Sequence, residues 1–260
     1  MDIAERALQL KEDIDNAYEA GKGAMWDVVQ NNGNRTDYDK GFAYWGNEEL
    51  SPEHKVAPNG KCTEIFHGCT ALKRIDESKF DLSKAKYSPT GTDSATYGTF
   101  WLCREIEVIP DIGLQAGAYV NTYAACMKMH TLKVMRVTED CTFNVSVFSG
   151  CPELQNIEEI EGTIGKDFYI NGCPKLSPKT LKRIIKHLKI YKQTEHEYKH
   201  IIAFNSTAFA VLEAEGISEE DWEWLAEQFP NANIELVKSM VDNSWETLIA
   251  LCLGWNVTVS

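Results

Sequence analysis

Cysteine recurs in this chain as the middle member of an apolar triplet: Phe66-Cys69-Leu72, Phe100-Cys103-Ile106, Tyr123-Cys126-Met129, Phe148-Cys151-Leu154 and Ile170-Cys173-Leu176. In four copies another apolar residue follows three positions on, as Ile75, Ile109, Leu132 and Ile157. The cysteines lie 34, 23, 25 and 22 residues apart. A unit that short cannot enclose its own apolar edge, so such units must stack and share an interior.

The period predicts an α/β fold: a leucine-rich-repeat solenoid of about five coils, with an N-terminal helix, an aromatic N-terminal cap and an α/β C-terminal cap. The expected segments are a helix for oligomerisation or attachment over 1–24, the aromatic cap over 25–60, the solenoid over 61–180 and the closing region over 181–260. Leu132, Met135 and Val137 give a short strand its inward residues, and Leu72/Ile75 and Leu154/Ile157 match its first half. The long interval between Cys69 and Cys103 holds a polar run with Pro89 and Gly91. That run reads as a loop extruded from one coil, within an insertion spanning 76–99, or as part of a coil whose signature has decayed.

Eight cysteines in a small secreted domain would suggest disulfides, but 260 residues with 43% hydrophobic content can bury a core unaided. Cysteines at equivalent places in successive units are expected to be free, buried thiols. No Cys-x-x-Cys pair occurs, which removes the usual zinc-ribbon and thioredoxin readings. No cofactor or metal is expected.

Net charge is −13 and unevenly spread. Residues 1–60 carry −6 and residues 187–260 carry −8, leaving the repeats near neutral. This distribution has no electrostatic footprint for nucleic acid. No stretch is apolar enough to predict membrane insertion. The acidic start lacks the features of a secretory signal, which predicts synthesis in a cytoplasm.

Ile3, Ala7, Leu10, Ile14 and Ala17 form a heptad-like seam, short for independent stability. It fits a coiled coil joining copies of the chain, or a helix packed on its own domain. Trp26, Tyr38, Phe42, Tyr44 and Trp45 surround an Asn32-Gly33 turn signal and suggest a cap over the first unit. A sugar-binding platform is the alternative use of such aromatics.

The acidic starting helix, the segment from Trp26 to Tyr38 followed by Phe42 to Tyr44, and the Phe-x-Gly-Cys-x-x-Leu-x-x-Ile repeats together resemble leucine-rich-repeat proteins of phages and prophages of Gram-positive bacteria. The run from Leu176 to Leu188, the stretch from His200 to Phe204 and the Gly254-Trp255 ending are similar to the helix, strand and Gly-Trp close of that family. The resemblance implies a virion structural or tail-associated protein, or an adhesin, and no catalytic residues. The chain departs from the pattern in its 69-to-103 interval and in an acidic insertion around Glu213 to Glu227.

His196-Glu197-Tyr198-Lys199-His200 is a literal His-Glu-x-x-His, which on a helix brings two imidazoles to one face to hold zinc. Here His200 runs into the strand-like Ile201 to Phe204, so the helical context is missing. Metalloprotease chemistry is therefore only a remote alternative. Ser218 before Glu219, Glu220 and Asp221 reads as a capped acidic first turn, with Trp222, Leu225 and Phe229 as that helix's apolar face.

The expected function is that of a non-enzymatic bacteriophage virion protein, of the tail or another external structure. Its expected partners are other virion proteins, itself, or a host cell-surface protein or glycan. A cell-surface adhesin is the rival reading. The candidate contact surface is Arg74, Asp76, Val108, Arg136, Asn156 and Glu158, the outward strand residues of the units.

Overall fold

The computed structural model describes residues 41–52, 55–191 and 200–260. The heptad-like seam and the Trp26 to Tyr38 segment lie outside the described residues. Every strand pairing is parallel. Strands β1 (Glu49–Leu50) and β2 (Arg74–Ile75) form one small sheet. Strands β3 (Val108–Ile109), β4 (Thr131–Arg136) and β5 (Asn156–Glu161) form a second. Strands β6 (Phe168–Tyr169), β7 (His200–Phe204) and β8 (Trp255–Val259) form a third.

These three separate sheets overturn the expected solenoid. The chain is a globular α/β domain closed by C-terminal helices, and a leucine-rich-repeat solenoid with one continuous curved sheet is not the architecture observed. After β2, the Asp76 side chain caps a 3-10 turn at Glu77–Lys79. After Leu176, Ser177 caps helix α1 (Pro178–Lys186), with Pro178 in its first turn, in the run that the sequence also reads as a helix. The resemblance to the phage leucine-rich-repeat family implied such a solenoid, and the three small parallel sheets with C-terminal helices contradict it.

The repeated residues nevertheless share one core. All fifteen side chains of the five triplets are buried. Successive aromatic rings contact each other along the stack: Phe42 to Phe66 at 6.0 Å, Phe66 to Phe100 at 5.2 Å, Phe100 to Tyr123 at 6.1 Å and Tyr123 to Phe148 at 5.2 Å. Burying each such ring contributes about 2 to 3 kcal/mol before chain entropy is counted. Each thiol donates backward to the carbonyl of the preceding unit's aromatic residue: Cys103 to Phe66 at 3.1 Å, Cys126 to Phe100 at 3.1 Å and Cys151 to Tyr123 at 2.9 Å. All eight cysteines are free.

The residue before each of the first four triplet cysteines is left-handed: Gly68, Leu102, Ala125 and Gly150 have φ between 59° and 72°. The turn of each unit demands this conformation, and only two of the four residues adopt it without strain.

The 76–99 insertion is packed against the body. Leu82, Ala85 and Ala95 are buried, and Ser88 and Pro89 accept backbone hydrogen bonds from Ala118 and Thr142. Beyond β7, helices α2 (Ser206–Glu215), α3 (Glu219–Gln228), α4 (Ile234–Val241) and α5 (Trp245–Leu248) lead through a π-helical turn to β8. Asn205, Ser218, Asn233 and Ser244 cap the four helices in turn. Ser218 and Asp221 form the reciprocal box expected from the sequence.

Candidate interaction surface

Along β4 and β5, Leu132, Met135, Ile157 and Ile160 point inward, leaving Lys133, Val134, Arg136, Glu158, Glu159 and Glu161 toward solvent. The register sets Arg136 beside Glu161. Asp111, just past β3, approaches from the other side. Arg136 donates to both Asp111 oxygens at 2.7 and 2.8 Å and to both Glu161 oxygens at 2.9 and 3.1 Å. One guanidinium thus ties the second sheet together across its width. The Arg136 hydrogen bond outweighs partial burial and holds the Asp111 carboxyl below its usual range.

Similar pairs recur from unit to unit. Lys73 meets Glu48 at 2.8 Å, Lys128 meets Glu105 at 2.6 Å, Lys133 meets Glu158 at 2.9 Å and Lys175 meets Glu153 at 2.6 Å. Arg74 pairs with Glu49. Exposed pairs contribute little stability each, but they fix side chains in a regular surface. Between them lies a groove of about 390 Å³ lined by Glu77, Asp111, Lys133, Val134, Glu158 and Glu159. Four carboxylates face a single cation there.

Of the six expected contact residues, Val108, Arg136, Asn156 and Glu158 belong to the second sheet, whereas Arg74 and Asp76 belong to the first and its exit turn. Glu77, next to Asp76, lines one groove together with Asp111 and Glu158. Asp76 is occupied by Ser51 and Ser78, and Asn156 accepts from Ser177 at 3.3 Å. Asp111, Lys133, Glu161, Glu77 and Glu159 were not singled out by strand pattern. For Asp111, Lys133 and Glu161 the signal is a cation and a carboxylate separated by about one repeat length; Glu77 and Glu159 carry no such signal.

His200 is the first residue of β7, which gives it a strand neighbourhood and no helical face. Its Nδ1 lies 3.0 Å from Asp167 Oδ1, which also accepts from the Ile201 backbone at 3.0 Å. Its Nε2 is buried without a hydrogen-bond partner. His196 and Glu197 lie outside the described residues. Among the described residues no group of three or more histidine, cysteine or acidic side chains could hold a metal ion. No helix among them is long and apolar enough to cross a membrane.

A second charged cluster joins α1 to α3. Asp221, whose side chain is 3% exposed, receives Lys182 Nζ and Lys186 Nζ, each at 2.9 Å, and the Ser218 hydroxyl at 2.6 Å. Burial pushes the carboxyl up, but Ser218 and the two ammonium groups outweigh it and leave its pKa at about 2. Lys182 also lies over the Trp245 ring and Lys186 over Trp224, at 5.5 and 5.6 Å. This cluster fastens α1 to the C-terminal helices.

Phe42 joins the ring stack and Trp45 donates Nε1 to the Glu49 carbonyl at 3.1 Å, while Tyr44 leans on His67 at 5.3 Å. The described part of the expected aromatic cap is therefore partly core and partly surface.

Comparison with known proteins finds no matching sequence family, no matching curated protein and no matching solved structure.

Proposed function

We propose that this protein is a non-enzymatic protein-contact module. It presents the outward face of β3, β4 and β5 to a basic segment of a neighbouring protein within a larger particle, such as a virion. The carrying observation is the groove lined by Glu77, Asp111, Glu158 and Glu159 with Lys133 as its one basic lining residue; Asp111 is paired with Arg136 and Glu158 with Lys133, and Glu77 and Glu159 add two more carboxylates. Arg136 is held by Asp111 and Glu161, so the groove's walls are ordered before a partner arrives and less entropy is lost on binding. A lysine- or arginine-bearing segment complements its charge and exchanges with Lys133 for the Glu158 carboxylate.

Carbodiimide coupling of carboxylates to nearby amines in the native assembly, read by mass spectrometry, tests this. The expected products join Glu77, Glu158 or Glu159 to lysines of another chain. Couplings to neighbours confined to other faces would overturn the reading. Virion residence is tested separately by mass spectrometry of purified particles, where absence of the chain refutes it.

A further inference from the structure

The C-terminal helices leave an apolar groove at the edge of the core, away from the sheet face. Leu225 and Phe229 of α3 and its end, Ala232 and Ile234, Val237 of α4, and Leu251 with Cys252 enclose about 200 Å³. At its edge the helix geometry of α4 places Leu236, Met240 and Val237 within an arc of about 100°. Leu251, 42% exposed, lines the pocket, and Leu236 at 57% and Met240 at 59% are exposed on the helix whose Val237 lines it. Scattered exposed apolar residues are ordinary, but a cluster around an apolar depression marks a contact site.

The charge around the groove selects its occupant. Residues 206–260 contain ten acidic side chains and a single basic one, Lys238. That lysine is already shared by Glu219 and Glu235, each at 3.4 Å. Asp221 is neutralised by Lys182 and Lys186, but the other carboxylates still leave the C-terminal helices acidic, and a second copy docking by the same face would bring two such regions together. An apolar stripe flanked by lysine or arginine meets both demands. Apolar residues at helical spacing fill the pocket while basic flanks answer the carboxylates.

We propose that the groove between α3, α4 and the π-helical turn is a docking site for an amphipathic helix with basic flanks, supplied by a partner protein. The inference is independent of the sheet face. Methionine on the rim suits such a site, because its unbranched side chain adapts to different apolar partners.

Cys252 supplies a readout inside the groove. It is the one cysteine of eight that is not fully buried. The experiment titrates the full chain with a synthetic helical Leu/Lys peptide, a scrambled peptide of identical composition and a Leu/Glu counterpart. It follows peptide anisotropy and the rate of Cys252 modification by a thiol reagent. The amphipathic basic peptide is expected to bind and to slow Cys252 modification at least tenfold, with the other two peptides doing neither. Leu236→Glu and Met240→Glu alter exposed positions and are expected to weaken binding at least tenfold. Val211→Glu, on the exposed face of α2, leaves it unchanged. Equal binding of the scrambled peptide, or binding without Cys252 protection, overturns the proposal. Self-association that Met240→Glu abolishes also overturns it, and assigns the groove to a second copy.

Discussion

Arg136 grips Asp111 with two parallel hydrogen bonds, Nη1 to Oδ1 at 2.7 Å and Nη2 to Oδ2 at 2.8 Å, although the two residues are 25 positions apart. The same guanidinium reaches Glu161, 25 positions in the other direction. Replacing Arg136 with methionine keeps the stem and removes both pairs. The carboxylates are substantially exposed, which screens the loss to about 1 to 2 kcal/mol. Urea unfolding should show a lower midpoint with unchanged slope, whereas Lys128→Ala, at an exposed pair, should move the midpoint by less than about 0.5 kcal/mol.

Asp221 should make stability fall steeply in acid. Its folded pKa of about 2 lies below the unfolded value near 3.9, so the carboxylate favours folding. That contribution, about 2 kcal/mol, is fully present above pH 4 and is lost as pH falls toward 2. Asp221→Asn also leaves Lys182 and Lys186 without their buried partner and should cost about 3 kcal/mol at neutral pH. Unfolding free energy measured from pH 2 to pH 7 should decline in the wild type and be flatter in the variant. Equal slopes would contradict this account.

The left-handed turns predict opposite outcomes at two positions. Ala125 has φ of 59°, so Ala125→Gly relieves strain and should raise stability by about 0.5 to 1 kcal/mol. Gly162 has φ of 99°, and an added Cβ would lie 2.0 Å from the Val137 carbonyl oxygen. Gly162→Ala should therefore cost more than about 3 kcal/mol or prevent folding. Thermal unfolding of the pair compares the two directly.

Thiol chemistry should divide the cysteines seven to one. Burial pushes the thiols of Cys103, Cys126 and Cys173 up, and that of Cys151 up to about 12. At pH 8 these remain protonated and enclosed, so a thiol reagent should modify only Cys252 in the folded protein and all eight in denaturant. Rapid native modification of any triplet cysteine would show that the stack opens locally.

The interior was legible in the sequence residue by residue. Phe66, Cys69 and Leu72 and their counterparts up to Leu176 were marked by spacing alone, and each is buried. The helix over Glu219–Gln228 was equally legible, because Ser218, the acidic first turn and Trp222 with Leu225 supply cap, dipole complement and apolar face together. The contact face was only half legible. Arg136 and Glu158 were found as outward strand residues, but Asp111 and Glu161 matter because of what they pair with across strands, and a strand pattern does not name the partner.

Sequence by itself determined which repeated side chains enter the interior, that the triplet thiols are core material, and that Ser218 caps a helix. These follow from local spacing and from the chemistry of single residues. Only the tertiary structure decided that the repeats do not continue as one curved sheet. Pairing between strands is a property of their relative placement, which spacing along the chain does not set. The tertiary structure also decided which charges meet. An ion pair 25 residues apart forms when stacking brings two units within a few ångströms, a distance that no spacing in the chain specifies.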